Sequence, residues 1–520
     1  MKRNLLKRIF VLVLCAGVIL SVPFAASAQQ SAPYVGYTYN AQGRSVPAPA
    51  GYMPDKVYLG KDMGATELNN PQDLFVYKQD GKEFLFVADT GENRILKLDK
   101  NFQLVKEYTE FIDPDGEVTE LESPHGLFIR DDVMYICDTR EKGDGRVIAC
   151  DMDGNISITF DKPTGETIPK GFQFRPIKVV VDTSGYAYVV VQGYTGGLIT
   201  FDTDTGHFIT NFGANKVTVT AQLLARRFVR TLMSREATEN DIRIVAYEII
   251  NVFMDGESFI YTVTEGQQGS DGKVANQVQH LNSLENNILR YNLEDANASG
   301  GKVYRKNRYA DIETAYYRDK NIESVIADVN VDEDEIITVL DKERGRLFQY
   351  DQESNLMFVF GVRGDQKGTF IEPVSVERFY GQYVVLDCQK NSITSFKETY
   401  YAQKVREAVG LFNQGLYTEA EPIWREVLVI DSTNTMAYKG IGKALSSREE
   451  YRESLEYLKM GQDRRAYSLA YREFRKEFMG KNLQWVVLGV VIAMFAFVWI
   501  IKFIRKKLGF EVKKTSIRVN

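Results

Sequence analysis

FLFVADTGENRILKLD, Phe84 to Asp99, decides the fold: an apolar run, a turn of Asp, Gly and Asn, then a second apolar run. The phrase returns as VMYICDTREKGDGRVIACD (Val133 to Asp151), YAYVVVQGYTGGLITFD (Tyr186 to Asp202), IITVLDKERGRLFQYD (Ile336 to Asp351) and YVVLDCQKNSITSF (Tyr383 to Phe396). One further copy is interrupted, with FIYTVTEG (Phe259 to Gly266) joined by an insert to NNILRYNLED (Asn286 to Asp295). β-Branched and aromatic runs broken by turn residues, repeated along one chain, predict a mainly β fold: a six-bladed β-propeller whose blades bury their faces against one another.

The sixth copy supplies an inner strand (VSVER), a second (YVVLDC) and a third (SITSF), after which the pattern turns helical. Its missing fourth strand is expected from DKVYLG (Asp55 to Gly60), because a ring that pairs its first strand into its last blade leaves no open edge. Residues 29–54, with Pro47, Pro49 and Pro54, read as an extended lead-in.

FVADTGENRILKLD resembles the NHL repeat, with Asp89, Asn93, Arg94 and Ile95 in its characteristic places, and Pro71, Pro124, Pro176 and Pro373 precede strands as in that family. FGVRGDQKGTFIEPVSV (Phe360 to Val376) is similar to the linker between two such blades, whereas the third and fourth copies depart from the pattern. The resemblance covers residues 55–398 and implies a six-bladed ring of the NHL or gluconolactonase-like kind. Some proteins of this layout are associated with carbohydrate uptake systems.

From Tyr401 the period changes. Ala408, Gly415, Tyr417, Ala420 and Trp424 recur after 34 residues as Gly442, Glu449, Tyr451, Ser454 and Leu458. The small and aromatic positions resemble tetratricopeptide repeats, about 401–434 and 435–468, within a helical stalk over 399–480. A rigid stalk and a peptide-binding groove are both open readings of it.

The ends give an address. Lys2, Arg3, Lys7 and Arg8 precede an apolar stretch and Ala26-Ser27-Ala28, which predicts a signal peptide over 1–28. Residues 483–503 are almost unbroken apolar sequence of bilayer-spanning length, with Trp485 and Trp499 near the two ends. A basic tail over 504–520 is expected in the cytoplasm, which leaves the ring outside a single-pass cell-membrane protein of bacterial type. A net charge of -6 with no long basic run argues against a nucleic-acid partner. Of the four cysteines, Cys137, Cys150 and Cys388 lie beyond the leader, and their spacing suits small buried apolar residues better than a disulfide scaffold.

Function is read as recognition of an extracellular protein or glycan. Long inserts at Val217 to Asp241, Gly266 to Glu285 and Tyr309 to Glu323 belong to connections that share one rim of a propeller. Polar amides beside aromatic rings suit sugars and peptides, so the candidate binding residues are Arg226, Arg230, Gln267, Asn276, His280, Tyr309, Tyr316 and Tyr317. No cofactor is expected for that function.

The alternative is a calcium-dependent, gluconolactonase-like hydrolase with the cation held near the channel by Asp73, Glu248 and Asp328. Aligned inner strands place Asp73, Gly126, Lys178, Asp328 and Ser375 at equivalent positions, and Lys178 would add a competing positive charge. Asp73 and Asp328 therefore read first as structural hydrogen-bond partners between blades, and His125 as a structural histidine. The recurring Asp89, Asp138, Asp341 and Asp387 are expected to cap backbone donors in the hairpin loops.

Overall fold

The computed structural model describes residues 32–39, 45–140, 142–213, 248–256, 258–264, 277–282, 291–292, 315–317, 320–322, 324–352 and 355–507. The signal-peptide expectation for 1–28 lies outside them, as does almost all of the tail.

Five sheets are complete four-stranded antiparallel blades. In chain order their inner strands are Asp73–Gln79, Pro124–Arg130, Pro176–Val181, Ile326–Val331 and Pro373–Phe379. A further four-stranded sheet, fourth in chain order, starts at Ile249–Met254, and Tyr291–Asn292 is the described part of its outer strand. Of the six blades expected, five are therefore complete among the described residues, and the sheet at the interrupted fourth copy is described in part. Each inner strand lies beside the next, and Pro373–Phe379 returns against Asp73–Gln79.

The last sheet is completed from the other end of the chain. Tyr52–Tyr58 pairs antiparallel with Ser392–Glu398, Tyr52 opposite Glu398 and Tyr58 opposite Ile393. Pro54, which has no N–H to give a ladder, lies at the register shift between Pro54 and Val57, as expected for proline within a sheet. Tyr52 is fully buried and stacks on Phe360 of the preceding blade with ring centroids 4.4 Å apart. The lead-in is not simply extended, because Tyr37–Tyr39 and Ser45–Pro47 form a small hairpin.

The third strand of this fourth sheet differs from the expectation. Gln277–Asn282 pairs with Phe259–Thr264, so NNILRYNLED carries the fourth strand rather than the third. QVQHLN has apolar residues at its second and fifth positions, without the alternation that marks a half-buried strand.

Four short helices follow the ring: α1 (Tyr400–Asn413), α2 (Tyr417–Ile430), α3 (Thr435–Ser447) and α4 (Tyr451–Met460). Thr399 and Asn434 cap α1 and α3, their side chains accepting from Ala402 N and Ala437 N. Glycine decides the approach of α2 to α3, since a β-carbon on Gly440 would sit 2.2 Å from Trp424 Nε1. Ala408, Ala420, Trp424, Ser454 and Leu458 are all buried.

The cap and the span, read separately in the sequence, are one helix, α5 (Arg464–Lys507). It is long and apolar enough to cross a membrane, and Leu483, Trp485, Ile492, Phe495 and Trp499 are exposed along it.

Candidate functional site

The inner strands bring one residue each to a common level near their starts. These are Asp73, Gly126, Lys178, Asn251, Asp328 and Ser375, and five of the strands carry a register shift just before that residue or at it. A bulge there turns the residue out of the regular ladder, which lets it bond to a neighbouring blade instead.

Gly126 opens the gap across which the central ion pair forms. A β-carbon at that position would lie 2.3 Å from the Ile177 carbonyl oxygen and 2.8 Å from Lys178 Cα, so only glycine lets the two strands approach. Lys178 then donates through Nζ to both Asp73 oxygens at 2.6 Å, reaching past the intervening blade. Asp73 also accepts from Leu127 N at 2.8 Å and from Ser375 Oγ at 3.2 Å.

Asp328 ties the other side of the ring together. Its Oδ2 accepts from Val376 N (2.8 Å) and Ser375 Oγ (3.1 Å), and its Oδ1 from Asn251 Nδ2 (2.8 Å) and its own neighbour Val329 N (2.9 Å). Ser375 Oγ accepts in turn from Leu74 N. One level deeper, Asn330 Nδ2 donates to Glu377 Oε2 at 2.8 Å.

Burial sets the protonation chemistry. It pushes the Asp328 carboxyl up to about 6, against the pull of Lys178, and raises Glu377 well above the carboxylate range. For Lys178, burial pulls down, but the facing Asp73 and Asp328 carboxylates outweigh it and hold the ammonium above its ordinary value. His125, half-buried at the start of its strand, is shifted down by burial, which disfavours the imidazolium.

Of the three residues expected to hold calcium, Asp73 and Asp328 do approach the same centre and Glu248 does not. The corresponding residue of the fourth sheet is Asn251, while the Glu248 side chain accepts from the backbone N–H of Gly193. No group of three or more His, Cys, Asp or Glu positioned for a metal occurs among the described residues. More decisive is what is present: the Lys178 ammonium occupies the carboxylate that a cation would need, and every Asp328 oxygen is bonded to the ring itself. The residues fit an internally neutralised hub, not a calcium cradle.

The hairpin aspartates act as expected. Asp138 accepts from Glu122 N and Ser123 N, and Asp387 from Ile371 N and Lys390 N. Asp89 accepts from Asn69 N and pairs with Arg94, and Asp341 accepts from Val325 N and Arg344 N. Cys137, Cys150 and Cys388 are free and buried.

The candidate binding residues Arg226, Arg230, Gln267, Asn276 and Tyr309 lie outside the described residues. For His280, Tyr316 and Tyr317 the backbone alone is described: His280 lies opposite Tyr261 in the ladder, and Tyr316 and Tyr317 form one side of a hairpin with Lys320–Ile322.

Sequence reasoning missed a second polar centre, where the helices meet the ring. Arg406 of α1 is buried and donates to Asp332 at 2.7 Å and Asp334 at 2.9 Å, both in the turn after strand Ile326–Val331, and pairs with Glu398 at 3.1 Å. Asp332 also receives Arg378 (3.3 Å) and the Tyr383 hydroxyl (3.2 Å) from the last blade. Beside it Tyr401 packs edge-on against Phe358, and Lys439 of α3 donates to Asn355 Oδ1 at 2.8 Å. A run of acidic residues in VDEDE was the available signal, but nothing in sequence spacing pairs it with an arginine more than seventy positions away.

No family model matches the chain, and no curated protein matches it. Solved structures do. An auxiliary nutrient binding protein from Bacteroides thetaiotaomicron is 10% identical with a TM-score of 0.41, over 70% of this chain and 76% of that one. Virginiamycin B lyase from Staphylococcus aureus is 8% identical with a TM-score of 0.35, over 63% and 95%. The extracellular domain of a chain assigned to a one component system of B. thetaiotaomicron is 9% identical with a TM-score of 0.32, over 62% of this chain; the match spans about a third of that domain.

Proposed function

We propose that this protein is a membrane-anchored, extracytoplasmic propeller that binds or scaffolds rather than catalyses. The Lys178–Asp73 ion pair at the convergence of the inner strands carries the reading: a ring whose central carboxylates are neutralised from within holds blades together and leaves recognition to its loops. The fourth sheet is read as a further blade, which would make the ring six-bladed in the manner of NHL-repeat propellers. The two helical hairpins, with their 34-residue recurrence, are read as tetratricopeptide-like.

A leader over 1–28 and a span over 483–503 would set the ring outside and the tail over 504–520 in the cytoplasm. The rim inserts, with Arg226, Arg230, Gln267, Asn276, Tyr309, Tyr316 and Tyr317, together with His280 on the adjoining strand, are the proposed contact for a protein or carbohydrate, in a role accessory to carbohydrate uptake.

The test has two arms. Cysteines placed at Ser270 and Lys513 of the full chain, in cells, should react differently with an impermeant maleimide: Ser270 at once, Lys513 after lysis alone. Cys137, Cys150 and Cys388 are buried and should stay silent. The ectodomain is then screened against glycans and envelope proteins beside a lactonase assay with and without calcium. Binding without turnover supports the reading, and calcium-dependent turnover overturns it.

A further inference from the structure

The junction at Asp332 joins three parts of the molecule that the sequence reads as separate. Asp332 belongs to the fifth sheet, Arg378 and Tyr383 to the sixth, and Arg406 to α1, and all three donors converge on the same Asp332 oxygen. The apolar core is continuous across the same boundary. Tyr52, Phe358, Phe360, Tyr383 and Phe396 of the ring share one cluster with Tyr401, Val405 and Trp424 of the helices. Even the helix cap is shared, because Thr399 donates through Oγ1 to the Ala50 and Gly51 carbonyls beside the ring-closing strand. At the far end Ala470 of α5 is buried and α4 packs beside it.

We propose that the ring, α1 to α4 and the first turns of α5 move as one body. Asp332–Arg406 is its coupling point, so that a shift between the fifth and sixth sheets is passed to the helix that runs into the apolar segment. A buried charge pair suits this role because it tolerates little displacement: separating Arg406 from its carboxylates strands a charge in a site closed to water. The same contact gives the α1 and α3 face an intramolecular occupant, with Arg406, Tyr401 and Lys439 all engaged by the ring. Attachment of α5 to a membrane belongs to the proposed function above, but the coupling does not depend on it.

Spin labels on cysteines at Lys100, exposed on the first blade, and Arg472, exposed on α5, report the distance between ring and helix in the detergent-solubilised full chain. One narrow distance distribution is expected. Arg406→Gln should at least double its width while the near-UV spectrum of the ring is retained. Asp334→Asn, which removes one half-exposed partner and leaves Asp332 in place, should broaden it less. A broad distribution in the parent protein overturns the proposal. So does an unchanged width in Arg406→Gln or, if that variant fails to fold, an unchanged width in Asp334→Asn. Lower melting temperature without broadening would mark the cluster as structural alone and also counts against the coupling.

Discussion

Lys178 Nζ lies 2.6 Å from both carboxylate oxygens of Asp73, and the strand between them contributes a glycine, Gly126, at the matching level. The ion pair and the glycine are one device, because the strand that carries Lys178 could not approach if residue 126 had a side chain.

Lys178→Met should therefore destabilise the ring strongly. Removing one partner of a buried pair leaves the other uncompensated, a loss of about 3–5 kcal/mol. The double variant Lys178→Met/Asp73→Asn should lose less than the sum of the singles, and urea titration of all four proteins measures that coupling. Full additivity would mean that the pair does not act as one.

Gly126→Ala should cost about 1–3 kcal/mol, as overpacking does elsewhere, since the β-carbon collides with backbone rather than with a flexible side-chain end. Gly81→Ala is the control for backbone conformation: its φ of 75° is strained for alanine, but nothing crowds it. A larger loss at Gly126 than at Gly81, read from chemical denaturation, separates crowding from strain.

The hub should also make stability depend on pH. Asp328 has a folded value of about 6 against an ordinary 3.8, so the folded state keeps its proton where the unfolded chain has lost it. That contribution is present at low pH and is lost as pH rises from about 4 to about 6, by up to about 3 kcal/mol at roughly 1.4 kcal/mol per unit. Asp341, also raised to about 6 by burial, acts in the same sense. Asp328→Asn should flatten the difference in unfolding free energy between pH 4.5 and pH 7 relative to the parent protein. An identical slope in both would remove Asp328 as its source.

Deleting residues 29–60 removes the strand Tyr52–Tyr58 and bares the edge at Ser392–Glu398. Cooperative loss of the ring is expected, since Tyr52 leaves a fully buried site and a ladder goes unpaired. A melting curve like that of the full chain would show that closure is dispensable.

Much of the fold was legible because its signals are local. Continuous apolar runs such as FLFVA and YAYVVV, each followed by turn residues, name buried strands and turns without any partner. The ring closure followed from counting strands, although the paired residues lie some 340 positions apart. QVQHLN escaped because it has neither a continuous apolar run nor strict alternation.

The candidate site was legible only in part. Equivalent positions on repeated strands pointed to Asp73, Lys178, Asp328 and Ser375, and repetition is what made that alignment possible. Asn251 was missed in favour of Glu248, because the irregular fourth copy gives no register from which to count.

What the sequence determined by itself was the repeated strand–turn–strand unit, the change to helical period after Phe396 and the apolar segment near the C-terminal end. Each depends on residues a few positions apart. The tertiary structure alone decided that Lys178 neutralises Asp73 and that Arg406 grips Asp332, because a charge pair is chosen by proximity in space. The chain reports its charges in order, whereas the desolvation that makes these pairs matter exists only once the blades have closed around them.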